Sequence, residues 1–195
     1  MTPVARYAVA WPQVGAVAAA LVLAIAVLGQ RPWQLWPLEG LSLSLLVAGV
    51  AWCLDDPTPE IARTTPRQLR WTLRPRSAGL AVPLVAWSGA VILLGGDMFG
   101  HRTDVLLHGY AAALATSGIV AWLRWRDRPQ PGHTVAPVAV PLVLALALVR
   151  PTERWLPVFP YGPDAAWGRA TWTWGAMAAA GCVLLVGALA EVHSR

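Results

Sequence analysis

The sequence predicts an all-α integral membrane protein of six transmembrane helices with both ends in the cytoplasm, and three observations carry that prediction. Hydrophobic residues make up 56% of the chain and charged residues only 13%, against about a quarter charged in soluble domains. The apolar residues fall in long blocks free of charge, and a run of roughly 18 or more crosses ~30 Å of hydrocarbon as a helix. At ~20 residues per span plus short loops, the 195 residues hold six blocks and no separate catalytic domain.

The first span is read at residues 8–28, rich in Ala, Val and Leu, and Gln30-Arg31-Pro32 closes it. A cleaved signal peptide has a shorter apolar core that ends at a small-residue site, so this segment is read as a retained helix. Trp33 and Trp36 follow, and Trp suits the headgroup level because its ring is apolar and its N–H seeks water. The second span covers 38–54 and stops at Asp55-Asp56-Pro57. The third covers 79–95, and the fourth 105–123 is closed by Arg124-Trp125-Arg126-Asp127-Arg128. The fifth, 135–149, is short and contains Pro137 and Pro141; losing it would make the count five and move the C-terminus outside. The sixth covers 171–190.

Orientation follows from arginine, since all fifteen basic residues are Arg. With the N-terminus inside, ten lie on the cytoplasmic side and five outside, as the positive-inside rule expects. The ten acidic residues divide evenly and carry no orientation. The net charge of +5 does not point to nucleic acid, because the Arg residues flank apolar blocks rather than cluster on a solvated face. Cys53 and Cys182 lie in separate spans without metal or redox spacing and read as small packing residues.

Two connections exceed a plain turn. The loop at 55–78, on the predicted inner side, carries two helix starts. In the first, Thr58 caps, Pro59 takes the first helical position and Glu60 faces the positive end of the dipole. In the second, Thr65-Pro66 opens a segment that Pro75 ends, with Leu69 and Leu73 on one face and Arg67, Arg70 and Arg74 on another. Such a helix lies on the membrane surface as an anchor or presents its Arg face to a cytosolic partner. The loop at 150–170, on the predicted outer side, has four Pro and two Gly that forbid a long helix. It also has Trp155, Phe159, Tyr161 and Trp167, too apolar for a free loop. It reads as a re-entrant cap shielded by protein or as an aromatic interface anchor.

The predicted span centres hold no ionisable residue; Glu39 and His108 fall near outer ends and read as interfacial. That pattern argues against a carrier working through a buried carboxylate. No His-Glu-x-x-His and no Lys-bearing phosphate loop is present, so the chain is read as having no catalytic residue, metal or cofactor of its own. A Ser88–His108 dyad lacks the glycine-x-serine context, and small polar residues in spans usually pack helices.

The layout resembles the membrane subunit of six-span ABC exporters, in a compact form from high-GC bacteria. In residues, the resemblance rests on Cys53-Leu54-Asp55-Asp56-Pro57 through Arg63-Thr64-Thr65-Pro66-Arg67-Gln68-Leu69 and Arg74-Pro75-Arg76. The chain differs from that family in its shorter length and in lacking an N-terminal elbow helix. The resemblance implies a permease in the bacterial plasma membrane, paired with itself or a second permease and driven by a separate ATPase. It places Asp55, Asp56, Glu60, Arg63, Arg67 and Arg70 against that ATPase, and makes Trp155, Phe159 and Tyr161 an outer gate. The expected partners are thus the ATPase, a second permease and membrane lipids. The rival reading is a non-transporting scaffold within a larger complex.

Overall fold

A computed structural model describes residues 9–30, 35–55, 69–128, 130–149, 155–160 and 166–190, excepting the side chains of 35–36 and 69–75. Its elements are α1 (Trp11–Gln30), α2 (Leu35–Cys53), α3 (Leu69–Leu94), a 3-10 turn (Met98–Gly100), α4 (Arg102–Trp125), α5 (Pro131–Val149) and α6 (Trp167–Ala190). Among the described residues there is no strand. Five helices (α1, α3, α4, α5 and α6) are long and apolar enough to cross a membrane, and α2 contributes a shorter apolar stretch, Pro37–Cys53. This is the organisation of a multi-pass helical membrane protein.

The helices alternate in direction, as small-residue contacts show. Gly29 at the end of α1 lies against the Leu94 carbonyl at the end of α3, and Gly40 near the start of α2 lies against Ala147 near the end of α5. At the opposite end, Gly79 meets Val9 and Cys53, and Gly132 meets the Ala51 carbonyl. Without water to drive apolar groups together, close backbone approach at such positions is what holds membrane helices.

α2 is the axis of the bundle. It packs against α1, α3, α4 and α5, and its buried residues cover nearly every face, Leu43, Leu46, Val50 and Ala51 among them. α4 and α6 form the most extensive pairing. There Gly118 and Gly181 bring two backbones together so closely that a Cβ on either would collide with the facing chain. Trp87 of α3 fills the space beside Gly109 and donates its indole N–H to the Leu106 carbonyl at 3.3 Å. Large apolar side chains such as Val85, Leu93, Leu142 and Val183 point outward, where lipid rather than water is the fitting solvent.

The apolar blocks coincide with helices, and the differences lie at helix starts. α3 does not begin after Pro75: one helix runs from Leu69 through Pro75 into the apolar segment. Pro75 removes one backbone donor, which a helix tolerates when its neighbours compensate. The residue therefore lies inside a helix rather than at its end. α5 is a single helix despite Pro137 and Pro141, and it begins at Pro131, four residues before the expected start. Pro at the first helical position is favourable because that N–H has no intrahelical partner. Between α3 and α4 the chain reverses through left-handed backbone at Gly96 (φ 66°), Met98 (φ 49°), Phe99 (φ 53°) and Gly100 (φ 82°). Two of these are bulky residues, each held at a cost of order 1 kcal/mol. The Arg102 guanidinium, which donates to the Gly96 carbonyl, helps fix the turn.

Candidate functional site

The described residues place a carboxylate–imidazole pair at each end of α2. At its N-terminal end, Glu39 stands in the second turn of α2 and His108 in the second turn of α4. Both helices start at the same end of the bundle, so the two side chains reach the same depth, ~6–9 Å along each axis. Glu39 Oε1 lies 2.9 Å from His108 Nδ1, and both side chains are fully buried. Glu39 Oε2 and His108 Nε2 have no hydrogen-bond partner among the described residues. Buried polar atoms are nearly always paired, so this half-satisfied contact is exceptional.

Aromatic rings surround it. His108 stacks on Trp174 (centroids 5.4 Å apart, planes at 24°) and on Trp167 (6.2 Å, 9°). The Trp167 ring also lies parallel to His101, 4.2 Å away. His101 and His108 are two turns apart on one face of α4, a spacing of ~10 Å, and Trp167 fills the interval. His101 Nδ1 contacts Asp104 Oδ2 at 2.8 Å, and the Thr171 hydroxyl of α6 donates to Asp104 Oδ1 at 3.1 Å. This second pair is partly solvent-accessible, 29% and 27% exposed.

Of the aromatic residues expected to form an outer gate, Phe159 is buried, with its ring edge-on to Trp174 at 6.0 Å. The same indole donates to the Val158 carbonyl at 2.9 Å, pinning the 155–160 segment across this end of the bundle. Trp155 projects away, 86% exposed, and Tyr161 lies outside the described residues.

At the other end of α2, Asp55 differs from its expected partner-facing role. It is buried, and its carboxylate accepts the backbone N–H groups of Gly132 (3.0 Å) and His133 (2.9 Å) at the start of α5. The His133 ring contacts the same carboxylate from a largely exposed position. The physical reason is that the first N–H groups of α5 need acceptors, and Asp55 supplies an N-cap from 77 residues away. Asp55→Ala is therefore expected to destabilise the protein by about 2–3 kcal/mol, given two backbone bonds to a charged group. Hydrogen exchange should show the loss as faster exchange confined to the first turn of α5; unchanged protection there would refute the cap. Asp56, Glu60, Arg63 and Arg67 lie outside the described residues, and for Arg70 only the helical backbone is described.

Ser88 and His108 are not brought together. The Ser88 hydroxyl donates to the Leu84 carbonyl at 2.8 Å and lies 2.6 Å from the Tyr110 hydroxyl, while His108 engages Glu39. Among the described residues no three His, Cys, Asp or Glu side chains converge as a metal site would need. Reading Glu39 and His108 as separate interfacial residues missed their pairing. A signal was present: each lies a similar distance inside an apolar block that starts from the same side. No family model, curated protein or solved structure matches this chain.

Proposed function

We propose that the chain is the transmembrane permease subunit of an ABC transporter, working as an exporter beside a second permease or a second copy of itself. In this reading α2 is a sixth span beside the other five helices, and both ends lie on the cytoplasmic side with ten of the fifteen arginines. The multi-pass helical bundle is consistent with that role.

The observation that carries the proposal is the way the 56–68 segment is bracketed by rigid elements. On one side Asp55 ties the end of α2 to the start of α5. On the other, α3 is helical from Leu69 and runs unbroken through Pro75 into its apolar segment. A displacement of this segment by a docked ATPase would thus reach α2, α3 and α5 together. The Arg and acidic side chains of the segment suit a charged protein surface, with electrostatics setting partner choice.

Purification of the tagged chain from its native membranes in mild detergent should recover an ATP-binding cassette ATPase in near-equal amount. Replacing residues 58–68 by a Gly/Ser linker should abolish that recovery while leaving the chain in the membrane. Recovery of an ATPase that ignores the replacement, or of none with the intact chain, would refute the reading; in the second case assembly with other membrane proteins would favour the scaffold.

A further inference from the structure

We propose that Glu39 and His108 form a proton-binding site inside the bundle, loaded from the His101–Asp104 end and closed by the Trp167 ring. The inference stands on the geometry of the pair and does not depend on the ATPase partner.

The two side chains share a single contact, Oε1 to Nδ1 at 2.9 Å, and both are fully buried. One proton held between them leaves the pair without net charge, whether it is written as carboxylate and imidazolium or as carboxylic acid and neutral imidazole. Losing that proton leaves a net negative charge in a dry interior, and gaining a second leaves a positive one. Both are strongly disfavoured where no compensating charge is at hand.

Compensation within the described residues is sparse. α2 presents only Glu39 itself, α6 presents the uncharged Trp167 and Trp174, and the 155–160 segment presents Phe159. On α4 the titratable neighbours are His101 and Asp104, beyond the Trp167 ring, and the Arg102 guanidinium is turned to the Gly96 carbonyl. The closed bundle therefore holds one proton, and exchange requires an opening that admits water.

The geometry also indicates the route. Among the described residues Glu39 Oε2 and His108 Nε2 are left without partners, which is unusual for a purely structural tie and leaves each atom free to join a water chain. The partly exposed His101–Asp104 pair lies on the far side of one indole. An indole face cannot relay a proton, so Trp167 is the barrier. Displacing that side chain connects the two acid–imidazole pairs through water: a proton passes from solvent or His101 to the Glu39–His108 pair as the pair's own proton returns to that water, so the pair still holds one. No other bond changes.

The test is 15N-histidine NMR of the full chain in lipid nanodiscs between pH 5 and 9, with the His108 ring signals assigned through their loss in His108→Gln. The proposal expects the His108 ring of the intact chain to keep one protonation pattern across this range and Glu39→Gln to change that pattern. It also expects His108 ring N–H exchange to rise at least tenfold in Trp167→Ala, or in Trp167→Phe if the alanine variant does not fold. A His108 signal that changes with pH in the intact chain, a pattern indifferent to Glu39→Gln, or exchange unchanged in both Trp167 variants would each overturn it.

Discussion

Glu39→Ala is expected to destabilise the folded bundle by about 3–5 kcal/mol, because removing one member of a buried pair strands the other in the interior. His108 has no alternative partner among the described residues: its Nδ1 engages only Glu39, and its Nε2 engages nothing. Equilibrium unfolding in bicelles measures the loss. The sharper measurement is the double-mutant cycle, since the double replacement Glu39→Leu with His108→Leu removes both polar groups at once. Buried ion pairs exchanged for apolar residues are often neutral or stabilising, so the double variant should recover most of the loss and fall far short of the sum of its parents. A double variant as unstable as the sum of its parents would mean that the two residues act separately.

Gly118→Ala is expected to separate α4 from α6 at a cost of about 3 kcal/mol, at the upper end of the usual range for overpacking. The usual relief, rotation of a flexible neighbour, is absent, because the added carbon meets the Gly181 backbone. Gly181→Ala should behave alike, its Cβ meeting the backbone of Leu114 and Ala115. Gly175 and Gly187 on the same helix supply the control, with nothing within 4 Å of a Cβ. There the same substitution should stabilise by about 0.5–1 kcal/mol through helix propensity and a less flexible unfolded chain. Opposite signs at 181 and 187, measured under one set of unfolding conditions, would establish the close crossing; equal signs would contradict it.

The spans were legible because the requirement to cross hydrocarbon writes itself locally, as uninterrupted apolar runs. α1 and α4 fall within a few residues of the expected 8–28 and 105–123. What was not legible depends on partners distant in sequence. Nothing near Pro131 announces a capped helix start, since the cap is Asp55 on another helix. Pro75 is a stop signal by local rules, yet α3 passes through it. The pairing of Glu39 with His108 joins residues 69 apart, and it follows only once α2 is known to be the axis of the bundle. An all-round apolar helix carries no stripe to reveal its neighbours. The positions assigned by resemblance to ATPase docking lie almost wholly outside the described residues; Asp55, the one whose side chain is described, serves the fold.

The central placement of α2 also bears on how the protein is made. Synthesis from the N-terminus brings Glu39, Ser42 and Ser44 to the bilayer before the helices that enclose them exist. The two serines satisfy themselves at once on carbonyls of their own helix, Leu38 and Gly40. Glu39 must wait until His108 has been translated, and Asp55 until Gly132. α2 is thus poorly suited to partition into lipid alone, and its final burial belongs to assembly after α4 and α5 have entered.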